Sequence, residues 1–439
     1  MNNQHILLDY DNYVKDYKSI YGENTIVLIQ LGSFFEMCSD IDNNNEIGEK
    51  NIHTICDNVL DIAVGKKYYK TKNDITGIAE QKDYLMAGFP LISQEKHLTT
   101  LLENNYTIVL VEQITEPPNP ERKVTQILSP GTNIFHNKKC SNYLLSIYIE
   151  KFNYMNNDIF QAGISAIDLS TGKNYIHQIS HDNDNDFCFD EISRLINFYN
   201  ASELIFQTEN FNLTRDDVLN KWDINHDCFR INHLNDTILK KPSYQNDILR
   251  QIFNMNTMLN PMDELNISIK NELRLSYMYM IFYIKEHKND ILKHIERPIE
   301  HHEKNYMTLT SNSIRQLNVV NNYSYFKGKN ESLLAICNQC STAMGKRMFK
   351  DRLLYPSINI EEIQNRYLCI EEFRKDGFYN SVQNDLSKIG DLDKSLRLMG
   401  LNLLQPYQLY SSYLSYEYVK KVIRKIMNAD INNYYSKNK

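Results

Sequence analysis

Several residues along the chain are of types that do chemistry. Phe34 and Glu36 stand two apart just beyond Gly32, so an aromatic ring and a carboxylate share one side of an extended segment. Taken alone, a Phe after a strand is usually core and a lone Glu is usually a solvated carboxylate. Lys66, Lys67, Lys70 and Lys72, interleaved with Tyr68 and Tyr69, form a basic–aromatic patch suited to phosphate contact and salt-dependent affinity. A solvated hairpin loop is the more ordinary meaning of such a charge run. Asp168, Asp190 and Glu191 are carboxylates of the kind a two-metal nuclease gathers, but Asp168 stands at a hairpin where a turn-capping Asp is commoner. Cys337 and Cys340 make a CxxC with no second pair at zinc spacing, which reads as two cysteines one turn apart on a helix. His301, His302 and Glu303 are adjacent and cannot face one ion from a regular helix. Gly345–Lys346–Arg347 is not a phosphate loop, because no glycine lies five residues earlier and Arg follows the Lys; no other segment reads as one.

The elements that must position these residues fall into three stretches. Over 9–150 the pattern alternates short strands and helices. A helix is expected over Asn12–Tyr21, ended by Gly22, and β-branched runs predict strands at Thr25–Leu31, Val59–Val64, Ile108–Glu112 and Val124–Leu128. A helix is expected near Gln94–Asn104, and Pro117, Pro118, Pro120 and Pro130–Gly131 punctuate the exit. A second α/β unit follows, with strands at Tyr143–Glu150, Phe160–Leu169, Asn174–Ile179 and Glu203–Phe206 and a helix around Asp190–Asn200. From about 265 long amphipathic helices take over: Glu272–Lys288, Ser332–Tyr355, Ile360–Lys375 and Tyr407–Asn428. In that last stretch Lys346, Arg347, Lys350 and Arg352 are expected to form a helix face that pairs with nearby carboxylates. The final residues offer no packed closing element, so the chain reads as cut short.

At 439 residues, two to three domains are expected. Apolar residues make up 42% and charged residues 23%, ordinary for a globular protein, and no apolar run approaches a membrane span. The polar, acidic N-terminus shows no signal or transit peptide, and the eight scattered cysteines suit a reducing compartment. The expectation is an intracellular, soluble protein. The net charge of −7 argues against a molecule coated in positive charge, although the first third is acidic and the last third basic.

The segment Gln30–Leu–Gly–Ser–Phe–Phe–Glu–Met resembles the recognition motif of the MutS family of mismatch repair proteins. Met86–Ala–Gly–Phe–Pro, Tyr106–Thr–Ile–Val–Leu–Val–Glu–Gln and Arg122–Lys–Val–Thr–Gln–Ile–Leu–Ser–Pro–Gly–Thr132 follow in family order. Ile167–Asp–Leu–Ser–Thr–Gly172 resembles the connector hairpin. Ser332–Leu–Leu, Ser341–Thr–Ala–Met–Gly–Lys–Arg347, Arg366 and Ile389–Gly–Asp–Leu–Asp–Lys394 resemble the helical core. Two departures stand out: Ser33 replaces the usual acidic residue, and Phe35 sits where Tyr is common.

The resemblance implies an α/β mismatch-recognition domain over 1–132, an RNase H-like α/β connector over 140–260 and an incomplete all-α core and lever segment over 265–439. It implies that Phe34 inserts as a wedge at a base step and that Glu36 hydrogen-bonds the displaced base, with Phe35 in the core. Gly32, Ser33, Lys66, Lys67, Lys70 and Lys72 become candidates for contact with the DNA backbone. The partner expected is double-stranded DNA carrying mismatches or small loops, with a MutL-type protein reached through the connector. ATP and Mg are expected only with the family's C-terminal ATPase domain, which has no counterpart here. The chain is therefore expected to be non-enzymatic and, lacking the domain through which the family dimerises, monomeric. The other readings are a MutL-recruiting scaffold that has lost DNA binding and an RNase H-like nuclease.

Overall fold

The computed structural model describes residues 3–41, 48–72, 79–116, 120–134, 141–154, 157–180, 185–222, 229–231, 237–300, 306–307, 309–320 and 331–429. Two compact units result, one built mainly from residues 1–136 and the other mainly from the chain beyond 137. Among the described residues no helix is long and apolar enough to cross a membrane.

The first unit is a mixed sheet with helices on both faces. Its elements are α1 (Asn3–Tyr21), β1 (Thr25–Leu31), β2 (Phe34–Asp40), α2 (Ile52–Ile55), β3 (Gly65–Lys72), β4 (Ala79–Pro90), α3 (Gln94–Glu103), β5 (Thr107–Gln113) and β6 (Arg122–Leu128). The strand order is β3-β4-β2-β1-β5-β6. Only β1 and β5 run parallel, and their residues 25–29 and 107–111 are buried throughout. That is why both read as unbroken apolar runs: each is covered on two faces. On one face α1 packs, its Tyr10 hydroxyl donating to the Val27 carbonyl at 2.9 Å. On the other, Phe35 and Phe89 lie with ring centroids 6.4 Å apart, and the α3 residue His97 stacks on Phe89 at 4.6 Å.

One expected strand is absent. Val59 falls in a π-helical turn, Cys56–Leu60, that continues α2, and Asp61 closes it in the left-handed region with φ +52. Ile52, Ile55, Cys56 and Leu60 are the buried residues, at helical spacing, so the apolar positions of this segment serve a helix face and not an alternating strand. The Lys-rich stretch, by contrast, is not a loop: it is β3, paired antiparallel with β4 from Gly65 to Lys72.

The second unit also centres on a sheet. Its elements are β7 (Tyr143–Tyr154), β8 (Asn157–Asp168), β9 (Lys173–Ile179), α4 (Asn185–Tyr199), β10 (Glu203–Glu209), α5 (Arg215–Trp222), β11 (Phe229–Ile231), α6 (Pro242–Phe253), α7 (Pro261–Glu264), α8 (Asn271–Lys288) and β12 (Ile299–Glu300). The order is β11-β10-β7-β8-β9-β12, with β7, β8 and β9 an antiparallel meander and β10 parallel to β7. The first half of α8 packs on this sheet. Ser276 donates to the Ser146 carbonyl at 2.8 Å, and the Glu272 carbonyl carbon lies 2.3 Å from where a Cβ on Gly163 would stand.

Helices α9 (Ser311–Gln316), α10 (Leu333–Cys337), α11 (Ala343–Leu354), α12 (Ile360–Arg374), α13 (Phe378–Leu386), α14 (Leu392–Gly400) and α15 (Pro406–Asn428) complete the unit. The single helix expected over 332–355 is two. Ser332 caps α10 and Thr342 caps α11, its hydroxyl accepting from the Gly345 amide at 3.0 Å, and residues 338–342 between them are not helical. Cys337 therefore ends one helix and Cys340 lies before the next, so the pair is not one turn of a single helix.

Two arginines tie α11 and α14 into this unit. Arg347 is buried and donates to both oxygens of Asp391, at 2.6 and 2.8 Å, and to Asp393 at 2.9 Å. Arg397 donates to the carbonyls of Leu169 (3.3 Å), Ile291 and Lys293. Burial pulls its guanidinium down to about 10, opposed by the nearby Asp168.

Candidate nucleic-acid interface

A two-residue turn sets the geometry. Leu31 pairs with Phe34, leaving Gly32 and Ser33 as the loop of a β1–β2 hairpin. Gly32 has φ +63 while Ser33 is not among the residues with positive φ. A glycine at the first central position is what a type II′ hairpin turn demands. From this turn the side chains alternate. Phe34 projects with 42% of its surface exposed, Phe35 is fully buried, and Glu36 returns to the side of Phe34.

Glu36 sits one step deeper on the α1 face, opposite Gly88 of β4. Its side chain keeps only 16% of its surface. Burial raises its pKa above the ordinary carboxylate value, and Lys67, whose Nζ lies 3.8 Å away, pulls it back only in part. The glycine is required for this arrangement. A Cβ at position 88 would come within 2.3 Å of the Phe35 carbonyl oxygen and 2.7 Å of the Glu36 Cγ. The carboxyl is thus a group near solvent that takes up a proton more readily than most, one turn of strand behind an exposed ring.

A polar brace holds the hairpin. The Gln30 carbonyl accepts from Gln113 Nε2 and from Arg122 Nε, both at 3.1 Å, and its side chain accepts from the Gln113 amide at 3.0 Å and donates to the Gly32 carbonyl at 3.1 Å. The Ser33 carbonyl accepts from the Leu91 amide at 2.9 Å, which brings the turn at the end of β4 beside it. Ile92, next in that turn, is wholly exposed. Gly88, Gln113 and Arg122 lie within the family-like segments, where sequence alone assigns them no role, and Ile92 lies outside those segments. A glycine inside a strand pattern was the available signal for Gly88, since it marks close approach of another backbone.

Of the basic patch, Lys66 pairs with Asp83 at 2.9 Å and Lys67 faces Glu36. The side chains of Lys70 and Lys72 lie outside the described residues, as do His301, His302 and Glu303. The carboxylates proposed for a nuclease do not converge: Asp168 Oδ1 accepts from the amide and hydroxyl of Ser170, at 3.0 and 2.6 Å, and Glu191 is chelated by Arg194. Among the described residues no group of three His, Cys, Asp or Glu side chains is placed to hold a metal ion. Gly345 does not fit a phosphate cradle either, because its amide is spent on the Thr342 cap.

Comparison with known proteins matches two family models in chain order, MutS domain I over residues 61–137 and MutS domain III over residues 312–436. A mutS homologue of Acanthamoeba polyphaga mimivirus is 29% identical over 445 residues, 94% of this chain and 39% of the relative. The DNA mismatch repair protein MutS of Caldanaerobacter subterraneus is 27% identical over 91% of this chain and 42% of its own. The mitochondrial mutS homologue of Sarcophyton glaucum is 22% identical over 96% of this chain and 46% of its own. The chain thus spans about two-fifths of the length of the curated relatives it matches. With two MutS domain models matched in order and relatives of that name aligned along nine-tenths of its residues, the chain is similar over most of its length to DNA mismatch repair proteins of the MutS family.

Proposed function

We propose that the first unit is a mismatch sensor in which Phe34 is the wedge and Glu36 the base-reading group. The observation that carries this reading is the pair itself: an exposed ring at a hairpin end, beside a buried one, with a largely covered carboxyl on the same strand face. A planar apolar side chain pushed between base steps unstacks them and kinks the duplex, at a cost of a few kcal/mol. The cost falls where pairing is already broken, so selectivity comes from deformability and needs no sequence code. Glu36 then accepts from, or once protonated donates to, the displaced base, while an unprotonated carboxylate repels intact duplex. Ile92 gives the neighbouring turn an apolar face against the groove, and Gly32 and Ser33, with Lys66 and Lys67, supply the backbone contacts.

The strand order of the second unit, an antiparallel meander with a parallel strand added beside its first member, supports reading it as an RNase H-like connector. On this reading it recruits a MutL-type partner and carries no catalysis. The nucleotide chemistry of the family belongs to an ATPase domain outside these residues.

The test is a mobility shift of the full chain on a G·T heteroduplex against the homoduplex. Wild type should prefer the heteroduplex, and Phe34→Ala should abolish the preference, a loss of about 1–3 kcal/mol for one stacked contact. Equal affinity of the wild type for both duplexes would favour the scaffold reading.

A further inference from the structure

The second unit holds an aromatic pocket of about 240 Å³, set where β7, β9 and α4 meet α11 and α12. Six rings line it: Tyr143, Tyr175, Phe198, Tyr199, Tyr306 and Tyr355. They form one continuous cluster, with neighbouring centroids from 4.2 Å apart (Phe198 and Tyr355) to 6.2 Å apart (Tyr175 and Tyr199). The face of an aromatic ring attracts a cation within about 6 Å of its centroid. This cluster already holds one: the guanidinium of Arg194, fixed by Glu191, lies 5.4 Å from the Tyr355 centroid. One carboxylate joins the lining. Asp351 of α11 is exposed at the pocket, yet burial by the protein around it raises its pKa against the pull of Lys350, Lys173 and Arg347. Lys173 is paired with Asp393 and Arg347 with Asp391 and Asp393, and among the described residues no cation lies within ion-pair distance of Asp351. Tyr175 stands in the same acidic surroundings: burial, then the charges of Asp351, Glu296, Asp168 and Asp393, push its hydroxyl up to about 12. Arg352 and Arg366 also reach the pocket, but both are drawn to Glu362. Ser357, then Arg366 at 2.5 Å and Arg352, hold that carboxyl below its ordinary value.

We propose that this pocket binds an alkylammonium group, with Asp351 meeting the charge and the rings covering the alkyl carbons and the flank of the cation. The proposal is independent of the wedge reading. Size limits the ligand: sites for drug-sized molecules run to about 300–1,000 Å³, so this smaller one suits a group the size of one side chain and not a nucleotide. Charge sets the sign, because Asp351 is the lining group whose charge has no ion pair. The rings set the shape, because they shelter carbon and favour a cation, whereas a hydrated anion gains nothing from their faces. Such a group is the end of a lysine side chain on a partner protein or the end of a free diamine, and both present the same chemistry to the pocket.

The experiment titrates the full chain, free of DNA, with n-butylammonium and follows the methyl of Met348, which lines the pocket, by NMR. A saturable shift is expected, with a dissociation constant on the order of 1 mM for so small a ligand. Butanol and butyrate, which match its length without its charge, should bind about ten-fold more weakly or worse, the worth of one charge-assisted contact. Asp351→Asn keeps the shape and should weaken butylammonium by about the same factor while leaving butanol unchanged. Tyr175→Leu should weaken it by about three-fold, as loss of one cation–π contact does. Two further probes assign the source. Tighter binding of Nα-acetyl-lysine methylamide than of diaminobutane supports a partner's side chain, and the reverse order supports a free diamine. Butyrate binding better than butylammonium overturns the proposal, since the guanidiniums then rule the pocket. Equal binding of butanol and butylammonium, or an Asp351→Asn protein that binds like wild type, overturns it as well, because the pocket is then only a gap between rings. A Met348 methyl that no probe shifts, even far above the expected constant, overturns it outright.

Discussion

Glu36 is held at a cost that its chemistry explains. Its pKa is raised by burial, so the folded chain favours the protonated form and loses stability as pH climbs through the carboxylate range. Below the unfolded value both states are protonated and the penalty vanishes. Glu36→Gln should therefore melt higher than wild type at pH 7 to 8, and the gap should close as pH falls below about 4, near the unperturbed Glu value, when thermal melts are compared across pH. The same substitution should weaken the discrimination against homoduplex. Lys67→Met, removing the cation 3.8 Å away, should push the Glu36 midpoint further up in a carboxyl NMR titration. An unmoved midpoint would mean that Lys67 does not act on this group. At this scale the sequence told much and yet not enough. Phe34 and Glu36 were legible through the motif, because alternation in a strand fixes which of two neighbouring phenylalanines turns outward. Arg122 and Gln113 were not, because what gives them a role is a pairing across 92 and 83 residues that no local pattern encodes.

Between elements, the close approach of β2 and β4 depends on a missing side chain. Gly88→Ala would drive a methyl into the Phe35 carbonyl and the Glu36 Cγ, and relief requires β2 to move. A loss of about 1–3 kcal/mol is expected in urea unfolding, with reduced mismatch preference, since the strand that shifts carries the wedge. Gly65→Ala is the control, because its nearest neighbour, the Met86 carbonyl oxygen, is at an ordinary 3.5 Å. A similar effect is expected at α11, where Arg347→Ala leaves Asp391 and Asp393 without their guanidinium. It should cost about 1–3 kcal/mol, the range for losing charge-assisted hydrogen bonds to partly exposed carboxylates, since Asp393 keeps Lys173 at 3.4 Å. Central strands and long helices were legible, because burial on two faces or one stripe leaves its mark on apolar spacing. The errors fell where that mark is ambiguous. Val59–Val64 offers apolar residues to either period, and over 332–355 two capping hydroxyls interrupt a run that hydrophobic spacing alone would carry through.

For the whole molecule, net charge sets how DNA binding should respond to salt. With −7 overall, and with Lys66 facing Asp83 and Lys67 facing Glu36, each of these two cations must exchange a carboxylate for a phosphate, which reduces the net gain from counterion release around the wedge. The slope of log affinity against log salt should be shallow, about −2 to −4, at roughly 0.9 per phosphate neutralised. A slope near −10 would show a basic surface doing most of the binding. The grouping into two α/β stretches and a helical one was legible from the change of period along the chain. The joining of α14 to the second sheet was not, since Arg397 meets the Leu169 carbonyl across 228 residues. That distance has a consequence in time. At a synthesis rate of about 5–20 residues per second, the turn after β8 leaves the ribosome some 10–50 seconds before the arginine that will hold it. The nascent second unit must wait with those carbonyls served by water, and a chain released early, before residue 397, would never close that joint.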